Sequence, residues 1–195
     1  MIRIRHAMRG ALTGILVVAI ATTLVGCPDG SPVVIFKDVN LEAAVRVELG
    51  LPFGFVTRAD LLNLEVLDAR ERGITDLTGL EYAENLVSLD LDTNDISDLI
   101  PLTNLVNLEV LNLDSNDIFD LTPLAGLLQL TTLSLFDNQV GDLSPLITNA
   151  QNGGLGEGDL IVLDEVTLNE TALAQANQLV TEFNCNVVLV EAAGR

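Results

Sequence analysis

Carboxylates are the side chains of this chain whose spacing most invites chemistry. Asp92 and Asp114 stand 22 residues apart, and so do Asp95 and Asp117. In a chain that coils with that period the four fall on adjacent coils, about 4.8 Å from one another. Like charges so close repel unless a cation or a basic partner intervenes. Calcium takes several oxygen ligands and is the ion such an edge would suit. Yet no compact D-x-D-x-D loop with Gly organises one, and a solvated acidic face, helped by Arg70, is the alternative. No metal ligand is assigned, and no cofactor besides that possible calcium is indicated.

Catalysis finds little to work with. The only His is His6, close to the N-terminus, so the usual Ser-His and Cys-His nucleophile pairs are missing. Carboxylate pairs are plentiful, but a repeat makes them by copying. Gly153-Gly154-Leu155-Gly156-Glu157-Gly158 lacks Lys or Arg for phosphate and reads as a flexible loop. Cys185 has Asn184 and Asn186 as neighbours, nothing basic to activate it, and reads as a small buried residue. The expectation is a protein that is not an enzyme.

Cys27 has a different setting. Arg3, Arg5 and Arg9 precede an apolar run from Ala11 to Val25, which ends at Leu24-Val25-Gly26-Cys27. A basic start, an apolar stretch of about 15 residues and a small residue before a cut form a secretory signal. The run falls short of the roughly 20 residues a bilayer-spanning helix needs. Its end resembles the lipobox of bacterial lipoproteins. That resemblance implies cleavage before Cys27 and a lipid on its thiol, hence anchoring to a membrane outside the cytoplasm in a bacterial cell envelope. Which membrane stays open. An uncleaved anchor, or a plain signal with an incidental Cys, is the alternative. Residues 28–34 would be the tether, spanning at most about 25 Å.

Charge points the same way. Of 9 Lys+Arg and 28 Asp+Glu, three Arg and no acid precede Cys27, so the remainder carries a net charge of −22. Nucleic acid is excluded as a partner, since phosphate binding needs a basic surface. Basic partners or cations are favoured instead. Aromatics make up only 4% and Trp is absent, while 49% is hydrophobic, which suggests thin repeated layers of Leu, Val and Ile.

The elements that must carry these residues follow from a repeat. Leu64, Leu86, Leu108 and Leu130 are spaced by 22, as are Leu67, Leu89, Leu111 and Leu133. Ile74, Ile96, Ile118 and Val140 keep the period, and so do Asp76, Asp98, Asp120 and Asp142. Leu77, Leu99, Leu121 and Leu143 follow, then Asn94, Asn116 and Asn138, and Pro101, Pro123 and Pro145. In Leu89-Asp90-Leu91 alternate side chains face opposite ways, as in a short strand. Stacked copies would form a parallel sheet in which each coil touches only its neighbours. An Asn amide, donor and acceptor at once, can satisfy the backbone of adjacent coils.

The pattern L-x-x-L-x-L-x-x-N-x-I-x-D-L-x-P-L resembles the leucine-rich repeat, in the 22-residue form of bacterial internalins. It covers Phe36 to about Val190. The resemblance implies an α/β solenoid: a right-handed coil with short parallel strands on one concave face, a helical N-terminal cap and a helix-strand C-terminal cap. Residues 1–26 are then signal, 27–35 anchor and tether, 36–63 the N-terminal cap and 64–168 the repeats, with a Gly-rich insertion at 149–158. Residues 169–195 form the C-terminal cap and tail. Leu41, Ala44, Val45 and Leu49 predict a helix stopped by Gly50. Thr57 and Asp60 predict a capping pair, and Asn169 the N-cap of a helix through Leu173, Ala176, Val180 and Phe183. The first copy departs at Ala69, Arg72 and Gly79, where later copies have Leu91, Asn94 and Pro101.

Alternation assigns the solvent side of the strands. The candidate partner-binding residues are Asp68 and Arg70; Asp90 and Asp92; Val110, Asn112 and Asp114; Ser134, Phe136 and Asp137; and Val162. Leu160, Asp164 and Glu165 extend the face on the last coil, whose strand is placed at Asp159 to Leu163. About 20 such positions approach one side of a standard interface. Phe136 is the natural aromatic anchor, or else it packs beside Val110 or Val162. Phe119, away from the strands, is expected to pack on the edge. The functional expectation is a monomeric, membrane-anchored protein-binding module. An acidic envelope protein contacting cations or cell wall, without a discrete partner, is the alternative.

Overall fold

The computed structural model describes residues 30–165 and 167–191. Cys27, the signal segment and the first tether residues lie outside the described residues. Six strands form one parallel sheet in chain order: β1 (Val66–Asp68), β2 (Ser88–Asp90), β3 (Val110–Asn112), β4 (Thr132–Ser134), β5 (Leu160–Asp164) and β6 (Asn186–Val190). Pairing keeps the 22-residue register through four strands, with Leu67, Leu89, Leu111 and Leu133 side by side. Their inward side chains are completely covered, in a continuous stack of Leu and Ile. This is a leucine-rich-repeat solenoid.

The first three coils return through a 3-10 turn, at Leu80–Tyr82, Ile100–Leu102 and Thr122–Leu124. Pro101 and Pro123 open the second and third of these turns, where no ladder hydrogen bond is lost. The first copy lacks that proline for a steric reason. Phe36 packs so closely on Gly79 that a Cβ there would meet its ring at 2.7 Å, and Gly79 turns with φ 106°.

The Asn column behaves as its chemistry demands. Asn116 Nδ2 donates to the carbonyls of Leu91 at 3.0 Å and Leu113 at 3.1 Å, while its Oδ1 accepts from Ile96 N–H at 3.0 Å. Asn138 repeats this with Leu113, Leu135 and Ile118, and Asn94 with Ala69, Leu91 and Ile74. Each amide therefore stitches its own coil to the one before.

Both ends carry caps. Helix α1 (Val39–Glu48) starts at Asp38, and α2 (Arg58–Leu61) starts with a complete Thr57–Asp60 capping box. Asp38 also accepts from Thr75 N–H at 2.8 Å, tying the cap to the first coil. At the other end α4 (Glu170–Phe183) is capped by Asn169. Its Gln175 accepts from Leu143 N–H at 2.8 Å, and Asn169 donates to the Gly141 carbonyl at 3.0 Å.

The Gly-rich insertion differs from the expected flexible loop. Its first residues finish helix α3 (Ser144–Gln151), and the rest folds over the fully buried Asn149. Asn149 donates to the carbonyls of Leu124 and Leu127 and accepts from Leu155 N–H at 2.8 Å. Gly154 lies against that amide so closely that any Cβ would collide with it.

Candidate functional site

The strand face is built by alternation, and three columns of side chains cross it. The first holds Val66, Ser88, Val110, Thr132 and Leu160; the second Asp68, Asp90, Asn112, Ser134 and Val162. Arg70, Asp92, Asp114 and Phe136 continue the face two residues further along each coil. Charge is therefore graded along the sheet, from Asp and Arg on the first coils to Ser, Phe and Val on the later ones.

The charged end is a network. Arg70 reaches Asp68 at 2.8 Å and Asp90 at 3.4 Å. The Arg70 hydrogen bond holds the Asp68 carboxyl below its ordinary range, and Asp68 in turn drives the guanidinium pKa upward. Asp90 is half-buried. Burial raises its pKa, the Asp92 N–H and Arg70 oppose this, and Asp68 and Asp92 add to it. Asp114 Oδ1 accepts from Ser134 Oγ at 2.6 Å and from Phe136 N–H at 2.7 Å. Its pKa is nevertheless raised, by burial first and then by Asp92 and Asp90. The middle of the face thus holds carboxylates that are expensive to keep charged.

Phe136 is only half-buried, so part of its ring remains available, while Val110 is exposed. Asp137 stands in the left-handed region, as do Glu71, Thr93 and Ser115 at the same place in earlier coils. That column of non-Gly turns had no signal in the sequence beyond the period itself. Two expected positions are corrected. Asp164 is not exposed but buried at 4% exposure, at the last position of β5, which runs one residue beyond its expected end and pairs there with Val190 of β6. Phe119 does not pack on the edge; 63% of it is exposed.

The four carboxylates expected to crowd together are divided. Asp92 and Asp114 belong to the strand face, whereas Asp95 and Asp117 line a groove of about 360 Å³ beyond the strand ends, with Asp137 and Gln139. Gln139 donates to Asp117 at 3.0 Å. Among the described residues no three His, Cys, Asp or Glu side chains converge as a metal site would need. A second open groove, of about 690 Å³, runs along the other end of the strands between Glu65, Val87 and Glu109 and the pair Val106 and Leu128. Sequence reasoning missed it, although Asn85 and Asn107, which line it, repeat at the same 22-residue spacing.

The turn edge holds a different set of acids. Asp76, Asp98, Asp120 and Asp142 each accept the backbone N–H two residues on, from Thr78, Ile100, Thr122 and Ser144, at 2.7 to 2.9 Å. These are Asx turns that launch the return path. Their hydrogen bonds hold Asp76, Asp120 and Asp142 below the ordinary carboxylate range.

No family model and no curated protein sequence matches the chain. Solved structures do. An internalin (InlF) from Listeria monocytogenes superposes with a TM-score of 0.62 at 26% identity, over 72% of this chain and 47% of that one. Internalin C2 from the same species matches 81% of this chain and 95% of its own at 24% identity, with a TM-score of 0.34. The chain spans about half the length of the first. Repeat period, strand register, Asn column and superposition agree, and the chain has a leucine-rich-repeat fold similar to that of an internalin.

Proposed function

We propose that this is an exported, lipid-anchored protein-binding module that holds its partner on the strand-lined face. The carrying observation is that this face gathers side chains from successive coils in register, while the polar groups of the opposite edge are spent on turns. The face offers a charged end at Asp68, Arg70, Asp90 and Asp92 and an apolar end at Phe136 and Val162. A protein partner with a basic patch beside an apolar one fits that gradient. Fold alone does not give function, so the case rests on the face. Export and anchoring are supported by the Leu24–Cys27 motif and the basic start before it. No helix among the described residues is long and apolar enough to cross a membrane.

Intact-mass measurement of protein from its own membranes tests the anchor, which predicts cleavage before Cys27 plus a diacylglycerol and an acyl chain. Affinity for the partner captured by cross-linking tests the face. Phe136→Ala and Asp92→Ala should each weaken it roughly tenfold or more, and unchanged affinity for both would remove the strand face from the account. The second reading, an acidic envelope component, is supported by the net charge of −22. It predicts binding to wall material that disappears at moderate salt and ignores Phe136→Ala.

A further inference from the structure

The N-terminal cap carries a feature that neither the repeat nor the strand face uses. Leu51-Pro52-Phe53-Gly54-Phe55 follows α1, and both rings stand in solvent, Phe53 at 89% exposure and Phe55 at 60%. The loop that presents them is held from behind. Arg46, fixed by Glu42 at 2.7 Å, donates to the carbonyls of Leu51 at 3.2 Å and Gly54 at 2.9 Å. Leu51 N–H returns to the Arg46 carbonyl at 2.9 Å, and Gly54 turns the tip with φ 89°. On α1, Val39, Ala43 and Val47 share one stripe at i, i+4 and i+8, and all three are exposed.

Two further observations identify what this apolar end meets. The incoming chain lies directly beside the loop. Val34 N–H donates to the Val56 carbonyl at 2.8 Å, Arg58 N–H donates to the Pro32 carbonyl at 3.0 Å, and Val33 bridges Thr57 antiparallel. Whatever holds Cys27 therefore lies within the short reach of residues 28–34 from Phe53 and Phe55. Charge is also polarised along the solenoid. Lys37, Arg46, Arg58, Arg70 and Arg72 all precede Gly73, and no Lys, Arg or His occurs between Gly73 and Gly194. An anionic headgroup layer repels an acidic surface within a Debye length and repels far less an end where basic side chains offset most of the acids.

We propose that the Phe53–Phe55 loop docks into the interfacial layer of the phospholipid bilayer that carries the anchor. The solenoid then stands on its N-terminal cap, its acidic coils point away from the lipid, and its strand face stands side-on and open to partners. Aromatic side chains at the headgroup level, next to an acyl anchor, supply the second attachment that a tethered domain needs to hold one orientation. The inference rests on the anchor reading in placing a membrane within reach of the tether.

The chain has no Trp, so Phe53→Trp introduces a single indole reporter. The full-length protein from its own membranes, reconstituted into phosphatidylethanolamine–phosphatidylglycerol vesicles with and without brominated acyl chains, is compared with Phe119→Trp on the acidic body. The expected result is blue-shifted emission quenched by brominated lipid for Phe53→Trp, and water-like, unquenched emission for Phe119→Trp. Intact mass on the same samples separates the two ideas. A lipidated chain with water-like emission at both positions overturns the docking and leaves the anchor. A chain without lipid whose Phe53→Trp indole is still quenched overturns the anchor and keeps the docking. A chain with neither lipid nor quenching overturns both.

Discussion

The turn edge repeats an Asp every 22 residues and the strand face carries Asp in two of its columns, and the fold treats the two sets differently. On the turn edge, Asp76, Asp98, Asp120 and Asp142 take a backbone N–H apiece, and these bonds hold Asp76, Asp120 and Asp142 below the ordinary carboxylate range. On the strand edge, Asp90 and Asp114 are half-covered, face other carboxylates and are pushed toward the neutral form. The turn column stabilises the coil; Asp90 and Asp114, on neighbouring columns of the face, strain it electrostatically, and a basic partner would relieve that strain. A repeat copies acids for two unrelated reasons, and only their hydrogen-bond partners tell the reasons apart.

The largest effect should come from the turn side, in its Asn column. Asn116→Ala takes one donor each from the carbonyls of Leu91, Leu113 and Asp114, which keep Asn94, Asn138 and Thr93, and takes the acceptor from the Ile96 N–H. One buried N–H left unpaired and three carbonyl bonds lost should together cost about 3 kcal/mol in urea unfolding. Asp38→Ala removes the acceptor shared by Asn40, Leu41 and Thr75 and should cost about 2 kcal/mol. Asp120→Ala loses one exposed turn bond and should cost up to about 1 kcal/mol. On the strand side the sign reverses. Asp114→Asn keeps the Oδ1 that accepts from Ser134 and Phe136 and removes the repulsion, so it should stabilise by about 0.5 kcal/mol. An Asp114→Asn protein less stable than the parent would break the contrast.

Acid sharpens the same comparison. Asp90 and Asp114 bind protons more readily folded than unfolded, so stability should first rise as pH falls from neutral through their raised values. Asp38 behaves oppositely: burial works to raise its pKa, but the Thr75, Asn40 and Leu41 N–H groups outweigh it and hold it low. Together with Asp76, Asp120 and Asp142 it contributes stability above the ordinary Asp value of 3.8 that is lost as pH falls through the depressed folded values. Urea midpoints across this range should pass through a maximum on the acid side of neutrality, and Asp114→Asn should flatten the rise.

The architecture was legible because a 22-residue period is a distance in disguise: Leu67, Leu89 and Leu111 could only stack. The caps were legible from local chemistry at Thr57–Asp60 and Asn169. Less visible was anything set by contacts across coils. Nothing local marks Asp120 as a turn acceptor and Asp114 as a crowded surface acid, since both sit in polar stretches of the same repeat. Asp164 looked like one more exposed residue because alternation marks a side of the strand and not whether that side is covered at its end. Gly79 looked like a lapse from Pro101 until the ring of Phe36 was seen against it.

The most direct test of the strand face as the partner surface is site-specific photo-cross-linking in intact cells. A benzophenone side chain replaces Ser134 on the strand face or Ser97 on the turn edge, each in otherwise unchanged protein. The account predicts one discrete cross-linked protein from position 134 and none from position 97. The same adducts from both positions, or a discrete adduct from 97 alone, would contradict it.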